Sequence, residues 1–297
     1  MDALAPRRAR SIAEWNEMRS RLGAPTDVPD SIKSYRPRAT DVVITPFGKC
    51  GTTWLQQTFH TLRTGGDMDF DDISRVVPWI ETARFVGIDL EAPQRGAPRG
   101  FKSHLAYDDI PKGAKYVVSL RDPKDALVSM FRFIEGWFLE PGAISIEDFA
   151  PSWMQDDYWK HLVSWWNVRD EPNVLVFSYE GMTADPEGHV RRLAAFCGVP
   201  LSHELLALTL ERSSLGYMLQ HKDKFDDAMM RELSEARCNL PPGSDSAKVR
   251  KGGVGGHRTE LPAGIGAELD ARWAELVAPA TGFADYAALE AAVRARA

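Results

Sequence analysis

Three basic clusters in this chain have the make-up to seat an anion, and one histidine stands where a proton could be taken up. Lys49-Cys50-Gly51-Thr52-Thr53-Trp54 places an ammonium, a glycine and two hydroxyls side by side. Arg121 precedes a second hydroxyl, Ser129, on what reads as one strand–helix unit. Arg250-Lys251-Gly252-Gly253 joins two cations to a backbone free to wrap closely around a ligand. Lys102 and His104 alternate across Ser103, which puts a cation and a possible general base on one side of an extended segment. The chemistry these types suggest is the binding of a multiply charged anion and a proton transfer beside it.

Such groups need elements to aim them. Residues 42–44 are a short β-branched run that suits a strand buried on both faces. Pro46 and Gly48 end it, and a helix follows Gly51. A strand, tight loop and helix N-terminus leave unpaired N–H groups converging on one spot, with the positive end of the helix dipole behind them. Residues 99–104 read as a second strand with Phe101 and Ser103 on one face, Lys102 and His104 on the other. Residues 115–120 form a third, followed by a helix with Asp122 as N-cap, Pro123 in its first turn and Ser129 in its second. Residues 173–177 form a fourth, leading to Tyr179 and Glu180, and helices are expected over 186–196 and 202–210. Four apolar β-runs separated by helical stretches point to an α/β fold: one domain over residues 1–297, a central parallel sheet with helices on both faces, and a P-loop-like nucleotide-binding architecture. Residues 1–40 read as an N-terminal arm with a helix near 11–22. Residues 219–256, polar and then glycine-rich, read as a mobile lid or surface excursion followed by a cofactor loop.

Composition narrows the function. The chain has 297 residues, 44% apolar and 26% charged, which fits a globular protein with a sizeable core. A net charge of −6 supplies no basic footprint for nucleic acid. No apolar run is long enough for a membrane span. Three cysteines without metal spacing, Cys50, Cys197 and Cys238, point to a reducing cytoplasm and no metal site. The Walker A pattern is not met: Val43 stands where its first glycine belongs, and Cys50 replaces the hydroxyl that would hold Mg²⁺.

The stretch Lys49-Cys50-Gly51-Thr52-Thr53-Trp54 instead resembles the 5′-phosphosulfate loop of the cytosolic-type sulfotransferase family, with Cys50 in place of the usual serine and Gly48 where proline is common. Lys102-Ser103-His104 resembles the family's Lys-Thr-His strand, and Arg121 with Ser129 its 3′-phosphate motif. Arg250-Lys251-Gly252 resembles its Arg-Lys-Gly loop, although Gly256-His257 replaces the Asp-Trp that usually follows. Tyr179 corresponds to a residue beside adenine. Ser213 and Leu215 are loose counterparts of a Thr-Ser-Phe segment that touches the nucleotide, and Trp54 of a tryptophan that stacks on adenine. The resemblance implies 3′-phosphoadenosine 5′-phosphosulfate (PAPS) as donor, bound by these residues. It implies His104 as the base on an acceptor hydroxyl, Lys49 on the bridging oxygen and Lys102 near the sulfuryl oxygens, without metal. Aromatic and apolar residues at 76–85 and 131–138 suggest a phenol, alcohol or lipid as acceptor. Trp79 and Trp137 are open between acceptor pocket and core, and a homodimer is one option for the assembly.

Two other functions fit the same residues. A metal-dependent small-molecule kinase would use the first anion loop with Mg²⁺. A nucleotide-binding protein without catalysis would accommodate the changes at Cys50 and at 256–257. At a helix N-terminus the Cys50 thiol is also expected to ionise more easily and to react with thiol reagents.

Overall fold

The computed structural model describes residues 5–246 and 248–296. The chain begins with helices α1 (Ile12–Ser20) and α2 (Asp27–Ser34) and enters strand β1 (Val42–Ile44). Helix α3 (Thr52–Thr64), short helix α4 (Ile73–Val76), β2 (Gly100–Lys102) and β3 (Lys115–Leu120) follow. Next come α5 (Pro123–Trp137), α6 (Ile146–Trp153), α7 (Asp156–Asn167) and β4 (Val174–Ser178). Then α8 (Tyr179–Ala184), α9 (Pro186–Cys197), α10 (His203–Arg212), α11 (Leu215–Gln220) and α12 (Ala228–Cys238) follow. Short α13 (His257–Glu260), α14 (Ala263–Arg272), α15 (Ala278–Thr281) and α16 (Tyr286–Ala295) end the chain.

The four strands are parallel, in the order β2-β1-β3-β4. The chain leaves β1 towards β2 on one side, while β3 leads to β4 on the other. Such a reversal opens a crevice beyond the carboxyl ends of the two central strands, where α/β sheets bind ligands. Here those ends carry the loop of residues 45–51 and Arg121.

Alternation along the strands explains two cores. Val43, Phe101, Tyr116 and Val118 pack with Leu127, Phe131, Trp159 and Trp165 on one face. Val42, Ile44, Val117 and Phe177 pack with Leu55, Phe59, Val190 and Leu193 on the other. Both faces being covered is why the strands read as unbroken apolar runs. Trp137, Trp153, Trp159, Trp165 and Trp166 are all buried in the first core.

Two expectations are corrected. The second strand stops at Lys102 rather than at 104: Ser103 N still bonds Ile44 O on β1, and His104 N then leaves the sheet to bond the Glu81 carboxylate. Residues 219–246 are no surface excursion: they contain α12, with Phe225, Ser234 and Cys238 buried. Ser234 accepts from the Trp137 indole at 2.8 Å, and the Cys238 thiol bonds Met18 O at 3.1 Å, so this segment is fastened to α5 and α1.

Candidate active site

The anion loop is shaped by its backbone. Lys49 has φ +69° and Gly51 φ +96°, so the turn needs a glycine at the second position. A Cβ on Gly51 would lie 3.1 Å from the Tyr179 ring and 3.2 Å from Ser119 Oγ. Leu55 is the first residue of α3 to donate within the helix, to Gly51 O at 3.0 Å. The N–H groups of Thr52, Thr53 and Trp54 therefore have no acceptor in the helix. Thr52 Oγ1 and Trp54 Nε1 are buried and have no partner among the described residues.

Arg121, 8% exposed, ties this loop to the glycine loop 132 residues further on. Its Nη1 donates to Lys49 O at 2.7 Å and its Nη2 to Gly253 O at 3.1 Å, while the guanidinium lies over the Tyr179 ring at 4.1 Å. Trp54 meets Tyr179 edge-on at 5.9 Å. The glycine loop is held from the other side by Asp125 on α5. That carboxylate accepts from Gly255 N at 2.6 Å, His257 N at 2.9 Å and His257 Nδ1 at 2.8 Å. Gly256-His257 thus starts α13 and fastens it through the imidazole. Gly252, at φ +58°, packs so closely on Leu215 that a Cβ would fall 2.8 Å from its Cδ2. Glu180 braces the junction of β3 and α5, accepting from Asp122 N at 3.1 Å and from the Tyr286 hydroxyl at 2.5 Å.

The reactive side is built around Trp79. The Lys102 ammonium lies 3.8 Å from its ring centre and the His104 imidazole meets it edge-on at 5.1 Å. His104 Nδ1 faces Pro46 O at 2.7 Å. A carbonyl only accepts, so Nδ1 carries the proton and Nε2 keeps its lone pair. Burial, then the charge of Lys102, lowers the His104 pKa to about 3 in the protein alone, which keeps the ring neutral. Burial, followed by Lys248 and Arg121, lowers Lys49 to about 7. The Lys49 ammonium rests 4.5 Å from the Phe133 ring centre.

Some expected residues are placed differently. Cys50 is buried in the first core, with Sγ 3.8 Å from Gly48 O, and burial raises its pKa to about 12. The thiol expected to be activated at a helix N-terminus is instead held protonated: burial outweighs the lowering charges of Arg121 and Lys49. Ser213 donates its hydroxyl back to Thr209 O at 2.7 Å, closing the end of α10. Lys251 is exposed and paired with Glu260 at 3.0 Å, and Arg250 is half-buried with its charge also acting on Glu260. Ser129 is half-buried on the second turn of α5. Sequence reasoning missed Glu81, Asp125, Asp227 and Lys248. Glu81 Oε1 accepts from His104 N at 2.6 Å. Asp227 accepts from Lys102. Among the described residues no group of three His, Cys, Asp or Glu is placed to hold a metal ion, and no helix is long and apolar enough to cross a membrane.

The model of the sulfotransferase domain matches residues 39–279, from just before β1 into α15. The chain belongs to the sulfotransferase family. Membership places it among the sulfotransferases. Luciferin sulfotransferase of Photinus pyralis is 26% identical over 241 residues, covering 69% of this chain and 65% of that protein. Sulfotransferase 1C2 of Rattus norvegicus is 26% identical over 270 residues, covering 85% and 88%. Among solved structures, retinol dehydratase in complex with androsterone and the inactive cofactor PAP superposes with a TM-score of 0.70 at 18% identity, covering 91% and 95% of the two chains. Mouse sulfotransferase SULT7A1 complexed with PAP gives 0.67 at 20%, covering 92% and 93%. This sulfotransferase shares their fold, as the sheet order and helix layers above describe.

Proposed function

We propose that the enzyme moves a sulfuryl group from PAPS to a hydroxyl of a small, largely apolar acceptor, with His104 as general base. The observation that carries this reading is the meeting of Lys49, Arg121, Tyr179 and Gly253 in one crevice, joined by the two bonds of Arg121. Unpartnered Thr52 Oγ1 and Arg121 Nε there are buried donors lacking an acceptor, as a phosphate-binding cradle requires. Solved proteins of this fold, a retinol dehydratase and a mouse sulfotransferase, hold PAP, which fits such a cradle.

The loop N–H groups of residues 51–54 and Thr52 would hold the 5′-phosphate. Arg121, Ser129 and the glycine loop with Arg250, Lys251 and Gly252 would hold the 3′-phosphate, and Trp54, Tyr179, Leu215 and Ser213 would border the adenosine. The donor, when bound, supplies the sulfuryl group and a stable bisphosphate as leaving group. His104 takes the acceptor's proton at Nε2. Its low pKa comes first from burial and then from the charges of Lys102 and Lys248, and an anion placed there offsets those charges and raises its basicity. Lys49 and Lys102 meet negative charge on the bridging and sulfuryl oxygens.

A small cavity of about 10 Å³ adjoins Trp79 between Val86, Ile88, Met229 and Met230, with Asp72, Ser74 and Asp227 also on its wall, and it has room for about one water. The support for a phenol, alcohol or lipid as acceptor is the aromatic and apolar make-up of residues 76–85 and 131–138, with Trp79, Phe131 and Phe133 among them. Retinol and androsterone accompany PAP in the related structures. The test is His104→Ala, assayed with PAPS and a phenol panel. The expected result is a kcat about 10²–10⁴-fold lower, as loss of a general base gives, with adenosine 3′,5′-bisphosphate affinity unchanged. Full kcat would remove His104 from the role.

A further inference from the structure

The charge beside His104 is not solitary. Lys102, 1% exposed, ends β2 with its ammonium 3.5 Å from each carboxylate oxygen of Asp227. Asp227, 4% exposed, precedes the first residue of α12 without a side-chain capping bond, pairs with Lys248 and accepts from Ser74 Oγ at 3.1 Å. A buried ammonium with no counter-charge sheds its proton, so this carboxylate decides whether Lys102 can serve an anion at all. Lys248 opposes it, as a second cation on the same carboxylate.

We propose that Asp227 is a positioning residue for catalysis: it keeps Lys102 charged and in place beside the transferred group, with Lys248 as the counterweight. The proposal rests on the reading that Lys102 meets the sulfuryl oxygens. Asp227 sits at φ +49°, a backbone that aspartate and asparagine tolerate best among side-chain-bearing residues, which fits a carboxylate fixed by its backbone rather than by rotamer choice. The charged groups that act most on Lys102 after Asp227 are Lys248, which disfavours its charge, and Asp72 of the turn before α4 and Glu81 beyond Trp79, which favour it. Lys49 and His104 are neighbours that feel the charge of Lys102. Burial lowers Lys102 to about 8 even with Asp227 present, and Asp227 itself is held below the usual carboxylate range by the two lysines. The ammonium is therefore close to losing its proton near neutral pH, where removing one partner has a visible effect.

The experiment follows Lys102 Nζ by ¹⁵N NMR titration in the protein without nucleotide, with Lys49 Nζ read in the same spectra because Asp227 and Lys248 act on it too, and then the alkaline limb of kcat/KM at limiting PAPS. Asp227→Asn keeps the shape and the backbone preference but removes the charge. It is expected to lower the Lys102 midpoint and the alkaline limb by about one unit or more, the scale of a contact between opposite charges. Lys248→Met is expected to move both the opposite way, since it frees Asp227 for Lys102. Opposite shifts cannot come from loosened packing. Midpoints that stay within a few tenths of a unit, or that move in the same direction in both variants, overturn the proposal. Lys102→Ala separates the two ideas. A crippled Lys102→Ala enzyme beside an unmoved limb in Asp227→Asn sinks the role of Asp227 alone. Full kcat in Lys102→Ala sinks the sulfuryl reading, and the proposal with it.

Discussion

At the scale of single residues, the environment decides what a functional group is. Cys50 occupies the loop where family members carry serine, yet its thiol is enclosed by core side chains and its pKa is pushed up to about 12. Thiol reagents at pH 8 are therefore expected to leave activity intact over the time in which an exposed thiol is fully labelled. Loss of activity at that rate, prevented by bound nucleotide, would show the thiolate to be accessible. His161 is a similar case of a residue explained only by its neighbours: Nε2 meets Thr45 O at 2.9 Å at the end of β1, so it supports the loop rather than reacting. The Lys49 loop, Arg121 and His104 could be read in the sequence because they lie at strand ends, where local pattern and chemistry coincide. Asp227 could not. It sits among Lys222, Asp223, Lys224 and Asp226, a run that reads as a solvated surface, and its partner is 125 positions away.

At the scale of elements, the strands were legible and the polar connections were not. The third strand was expected at 115–120 and is found there, since a run buried on both faces has a plain apolar signature. Helix α12 escaped notice because its face towards the core is narrow, with Met229, Ser234 and Cys238 as its buried residues among charged ones. The glycine loop was recognised by composition, but its fastening to Asp125 was not, because Gly256-His257 departs from the family pattern. Asp125 accepts three bonds from the loop, and burial of its carboxylate is more than offset by these, so its pKa is lowered. Asp125→Ala is expected to weaken adenosine 3′,5′-bisphosphate binding about tenfold or more, the scale of losing a hydrogen bond to a charged group at about 1.5–3 kcal/mol. Isothermal titration checks this, with thermal unfolding as the control that α5 is intact. An unchanged Kd would mean that the loop closes without its anchor.

At the scale of the whole molecule, acid tests the packing of the second core. His189 lies between Phe177 at 4.6 Å and Trp54 at 5.6 Å, and neither ring nitrogen has a hydrogen-bond partner among the described residues. Burial, then the charge of Arg192, lowers its pKa to about 3. An unfolded histidine titrates near 6.5. Between those values the unfolded chain binds a proton that the folded one refuses, so this residue's contribution to stability falls as pH drops from about 6.5 towards 3. His189→Leu removes that term. The Tm of the variant relative to the wild type is expected to improve steadily as pH falls from 6.5 to 4, read by scanning calorimetry. A constant difference would mean that His189 takes up a proton as readily in the fold as in the unfolded chain.

The two carbonyls gripped by Arg121 have a consequence for the catalytic cycle. Without them a nearly buried guanidinium would be left unpaired each time the site emptied, and the spent bisphosphate would be trapped by the cost of leaving. With them the two Nη groups stay paired in the empty site, and only Nε is left without an acceptor. On the reading proposed above, the cost of releasing an anion there falls on one N–H rather than on the whole guanidinium, which favours turnover over retention.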